Sequence, residues 1–130
     1  MPHPQPSFLS ELVTAMAGAV AAIHVSPEGL VVGTSPGIGR DDADKWAAVM
    51  SALSAVSTNS ADIIGRVASD GGGGWGHSII EDRCGQNLTL VGAPDKSMLA
   101  VICTKDTDLG ELLARMIGLA EQGALALVAA

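Results

Sequence analysis

Aromatic side chains are nearly missing from this sequence: one Phe, two Trp and no Tyr among 130 residues. Positive charge is scarce too, with seven Lys and Arg against fourteen Asp and Glu, a formal charge of −7. Both shortages argue against nucleic acid, which calls for a basic footprint and, for single strands, stacking platforms. Charged residues of either sign make up only 16%, against roughly 25% in an average globular chain. The 48% hydrophobic content nevertheless excludes disorder over most of the length and is enough for one domain. Such a core must be built from Leu, Ile, Val, Met and Ala. Small side chains cover little area each, so it needs close backbone approach or surface supplied by a partner.

Cysteine is limited to Cys84 and Cys103, nineteen positions apart, and histidine to His3, His24 and His77. No metal-binding spacing results, and both thiols read as reduced. The first basic residue is Arg40. The apolar stretch Leu12 to Val25 therefore lacks the basic flank of a signal peptide, and Ala and Gly dilute it below what a spanning helix needs. A cytoplasmic protein without membrane insertion, metal or cofactor is expected.

What is present is a regular succession of patterns. Residues 1–6, with Pro at positions 2, 4 and 6, read as a flexible leader, 7–123 as the domain and 124–130 as a C-terminal tail. Leu9, Leu12, Val13, Met16 and Ala17 recur at helical spacing, with Ser7 as a cap and Gly18 as a stop. Ala19 to Val25 and Leu30 to Ser35 read as a hairpin around Pro27-Glu28-Gly29. Asp41, Asp42 and Asp44 crowd the start of a second helix, where its dipole favours negative charge. On it, Ala43, Trp46, Ala47, Met50, Leu53, Ser54 and Ser57 form one stripe, and Val49, Leu53 and Val56 form another. That arc is wider than one sheet face requires, and suits either a helix sunk in its own core or one that also meets a partner. Ser57 to Ser60 reads as its end, and Ala61 to Val67 as either a strand or a continuation. After the loop Ser69 to Gly74 come strands at Trp75 to Glu81, Leu88 to Gly92 and Met98 to Cys103. A last helix starts at Asp106-Thr107-Asp108 and ends near Gly123. The order helix, two strands, helix, three strands, helix implies an α+β sandwich.

Motifs that suggest chemistry fail on context. Gly71, Gly73 and Gly76 fit a dinucleotide pattern, but His77 stands where a phosphate loop has Lys, and a strand follows where a helix is required. Asp41-Asp42-Ala43-Asp44 lacks the alternation of a calcium loop. His24, inside a strand, has the position of a packed residue. No nucleophile, base and orienting group come together, so no catalytic residue is assigned and the chain is not expected to be an enzyme. Trp75, His77 and Cys103 are the groups available to a small-molecule pocket.

Three stretches, in this order, resemble the roadblock or dynein light-chain family of small-GTPase regulators. They are Ser26-Pro27-Glu28-Gly29-Leu30-Val31-Val32, the loop Ser35-Pro36-Gly37-Ile38 leading into Arg40-Asp41-Asp42-Ala43-Asp44, and Leu99-Ala100-Val101 leading to Asp108-Leu109-Gly110. The likeness is strongest to bacterial members encoded beside a sensor kinase and a Ras-like GTPase in conservon-type operons. It implies a three-layer α/β/α sandwich around a five-stranded antiparallel sheet, with the second helix on one face and the first and last on the other. It also implies a homodimer, or a heterodimer with another roadblock protein, joined through the second helices and third strands. The residues for that interface would be Trp46, Val49, Met50, Leu53, Val56, Trp75, His77 and Ile79. A Ras-like GTPase, met at Arg40, Asp41, Asp42 and Lys45, would be the signalling partner. The dimer would modulate its hydrolysis, as GTPase-activating members do, or else act as a scaffold for a sensor kinase and other operon partners.

Overall fold

The computed structural model describes residues 7–68 and 72–121. The expected leader 1–6, the tail 124–130, the start of the glycine loop at Ser69 to Gly71 and a helix end near Gly123 lie outside the described residues. The elements are α1 (Ser7–Ala15), β1 (Ala19–Val25), β2 (Val31–Thr34), α2 (Arg40–Ala68), β3 (His77–Glu81), β4 (Asn87–Gly92), β5 (Met98–Cys103) and α3 (Leu109–Glu121). The five strands form one antiparallel sheet in the order β2-β1-β5-β4-β3. The last strand in sequence is thus the central one, aligned by pairs such as Ile23 with Ala100 and Leu90 with Ala100.

The period of two along β5 divides the core. Leu99, Val101 and Cys103 pack with Leu9, Leu12 and Met16 of the α1 segment and with Leu112 and Met116 of α3. Met98 and Ala100 pack on the other face with Ala43, Ala47 and Met50 of α2. The Ala side chains let α2 lie close to the sheet, which is how a core almost free of aromatics closes.

Local chemistry sets the boundaries. Gly18 adopts φ 86°, and a Cβ there would collide with the Thr107 hydroxyl, so only glycine fits the junction of α1 and β1. Asp108 caps α3, its Oδ1 accepting from the Glu111 N–H at 3.1 Å.

Two expectations are corrected. The second helix does not end at Ser57 to Ser60 but runs unbroken for 29 residues, about 43 Å at 1.5 Å per residue. The hydroxyls of Ser54, Thr58 and Ser60 donate back to the carbonyls of Ser51, Ser54 and Val56, and the Ser57 hydroxyl bonds that of Ser78 on β3 at 2.6 Å. Polar side chains so occupied do not break a helix. The third strand begins at His77 rather than Trp75, because the Trp75 ring turns across the end of β4. A Cβ on Gly92 would lie 2.8 Å from that ring. The chain returning from α2 passes so close to it that a Cβ on Gly72, whose φ is 68°, would stand 2.9 Å from Gly65 Cα.

Candidate protein-interaction site

On α2 the residues Val49, Leu53, Val56, Ser60, Ile63 and Val67 follow one another at intervals of four and three, the spacing that keeps a single row along a helix. Val49, Val56, Ile63 and Val67 are each more than half exposed. The row is rimmed by exposed Lys45, Asn59, Asp62 and Arg66. An apolar strip bordered by polar residues in this way is a candidate interaction surface.

Beside it lies β3, which pairs with β4 only, so its outer backbone edge meets no strand among the described residues. Such an edge is a template for a further strand. Ser78 and Ile80 stand opposite Leu90 and Leu88, on the α2 face. His77, Ile79 and Glu81 stand opposite Val91, Thr89 and Asn87, on the other. Ile79 and Ile80 are both exposed.

The expected interface residues therefore separate into three groups. Val49, Val56, His77 and Ile79 are exposed and available. Trp46, Leu53 and Trp75 are half-buried at the join between α2 and the sheet, with the Trp75 indole N–H donating to Ser78 Oγ at 2.9 Å. Met50 is corrected: it is fully buried beneath α2 and has no surface for a partner, because it lies on the row of Ala43 and Ala47 that faces the sheet. Sequence reasoning missed Ile63, Ile64, Val67 and Ile80. The signal was there, since the alternation of four and three continues unbroken past Val56. Ending the helix at its serines concealed it.

Arg40, Asp41, Asp42 and Lys45 are all exposed on the first turns of α2. Asp42 stands seven residues before Val49, on the same row, and Lys45 lies beside it. Arg40 is half a turn round the helix from Val49. The first two continue the apolar row, and Arg40 does not.

The Roadblock/LC7 domain model matches residues 7–72. The chain belongs to the Roadblock/LC7 family. The crystal structure of a Roadblock/LC7 domain from Streptomyces avermitilis superposes on it with a TM-score of 0.76 at 28% identity, covering 92% of this chain and 93% of that one. MglB of Myxococcus xanthus has the same fold, with a TM-score of 0.69 at 18% identity and coverage of 93% and 94%. The gliding protein MglB of Thermus thermophilus gives 0.64 at 15% identity, over 92% of this chain and 84% of that one. No curated protein matches the sequence. No helix among the described residues of this Roadblock/LC7 domain is long and apolar enough to cross a membrane.

Proposed function

We propose that this Roadblock/LC7 chain is a non-enzymatic regulator of a Ras-like small GTPase, working as a dimer joined along α2 and β3. The carrying observation is the placement of a long exposed apolar row directly beside an open sheet edge. A second copy would cover both at once, with α2 against α2 and β3 against β3, and would supply the burial that the aromatic-poor chain lacks. Family membership supports the GTPase as client. The exposed start of α2 would meet it: Asp42 and Lys45 border the dimer row, and Asp41 and Arg40 extend the charged surface around the helix.

Arg40 acts in this reading as a contact and not as a finger inserted into the nucleotide site, because Asp41, Asp42 and Asp44 surround it. The test is single-turnover GTP hydrolysis by a purified Ras-like GTPase of the same organism, with and without this protein, together with co-elution. Complex formation with an altered hydrolysis rate is expected, with Arg40→Ala weakening binding without abolishing the rate effect. Complex formation at an unchanged rate would replace regulation by scaffolding. Absence of a complex with both GDP- and GTP-loaded forms would reject the reading.

A further inference from the structure

We propose that His77 and Glu81 form a reciprocal recognition pair between two copies of this chain, fixing the register of β3 against β3 on Ile79 and selecting an identical chain as the partner. The inference rests on the dimer reading above and specifies what that interface recognises.

The sheet has two open edges among the described residues, β2 and β3, and they differ. β2 is four residues long, and its pairing with β1 shifts register between His24 and Val25. β3 pairs residue for residue with β4 over its five residues, and its sequence HSIIE has neither Pro nor Lys. Bulges, prolines and lysines are the usual protection of an edge against pairing. β3 has none of them, so it is the edge open to a further strand.

Symmetry then restricts the register. For α2 to meet α2, both copies must carry that helix on the same sheet face, so the two-fold axis stands normal to the sheet and the β3 strands run antiparallel. Residues opposite one another share a face, which allows only registers centred on a residue. Centring on Ser78 or Ile80 pairs three residues of each strand and sets His77 or Glu81 against Ile79. Centring on Ile79 pairs all five. Ile79 then meets the partner's Ile79, and each His77 meets the partner's Glu81.

The chemistry of the two ends fits this register. His77 and Glu81 are both exposed, and neither side chain has a hydrogen bond or ion pair among the described residues. Within one strand they stand about 13 Å apart at 3.3 Å per residue, too far to bond each other. Directly opposite positions bring Cβ atoms to about 4.5–5.5 Å, within reach of an imidazole N–H donating to a carboxylate. Symmetry makes the bond twice, once on each side of the Ile79 contact. A chain with a different order of groups on its third strand would leave His77 and Glu81 unmatched, and a carboxylate opposite Glu81 would repel it.

The test is sedimentation and oxidative cross-linking of the full chain in a Cys84→Ser background, which removes the exposed thiol. Ile79→Cys should yield a covalent dimer, and Glu81→Cys, which faces His77, should not. His77→Glu and Glu81→His should each weaken the homodimer about tenfold. Mixing these two variants should give a heterodimer in preference to either homodimer, because each Glu then faces a His. A dimeric protein in which Ile79→Cys fails to cross-link, Glu81→Cys cross-links as readily, or the mixed variants show no preference would overturn the recognition pair while leaving the α2–β3 dimer standing. A wild type that stays monomeric would overturn both.

Discussion

His24 is fully buried on β1, with the Phe8 ring edge-on at 6.1 Å, and neither of its ring nitrogens has a hydrogen-bond partner among the described residues. Burial lowers its pKa below the usual 6.5 and outweighs the opposing attraction of Asp95. The unfolded chain therefore takes up this proton more readily than the folded one, and stability must fall as pH drops below about 6.5. Melting curves between pH 8 and pH 5 should show that loss, and His24→Leu should flatten it. An unchanged acid slope in the variant would contradict the assignment. Asp95 titrates in a separate window. Hydrogen bonds from Ser97 hold its carboxyl below 3.8, so its contribution is present above that value and is lost only in stronger acid. His24 was readable from the sequence as a packed strand residue. Its unsatisfied nitrogens were not, since they follow from α1 folding back over β1.

At the scale of the element, α2 carries two faces that respond to substitution in opposite ways. Met50→Ala should cost about 2–5 kcal/mol of folding stability by leaving a cavity against the sheet, measured by urea unfolding. Val56→Asp, at a position 62% exposed, should leave the folded protomer within about 1 kcal/mol of wild type while abolishing dimerisation. Gly72→Ala should destabilise the protein, because its positive φ and the 2.9 Å approach to Gly65 Cα leave no room for a methyl group. Thermal melting checks it. The start of α2 was legible from its acids and its apolar period. Its second half was not, because Ser57 to Ser60 have the composition of a helix end. Only the hydrogen bonds to Ser51, Ser54 and Val56 and to Ser78 show how those hydroxyls are satisfied within a continuous helix.

At the scale of the molecule, the order of helices and strands could be read from hydrophobic periods, and the β1–β2 hairpin and the β3–β4–β5 meander from the lengths of their connections. The pairing of β1 with β5 could not be derived in that way. It joins residues more than seventy positions apart, such as Ile23 and Ala100, and no local pattern encodes such a contact. That pairing joins the hairpin and the meander into one sheet and leaves β3 at the edge beside the apolar row of α2. The charged start of α2 gives the proposed GTPase contact a salt dependence, since exposed ion pairs weaken as screening shortens their reach. Affinity should fall between about 50 and 300 mM salt, while the proposed apolar dimer contact should persist.

Sedimentation equilibrium of the wild type and of Val56→Asp at micromolar concentration tests the central claim most directly. The wild type should sediment at twice the 13.1 kDa chain mass, and Val56→Asp as a folded monomer. A wild type that remains monomeric at high micromolar concentration, or a Val56→Asp variant that still dimerises, would contradict the account.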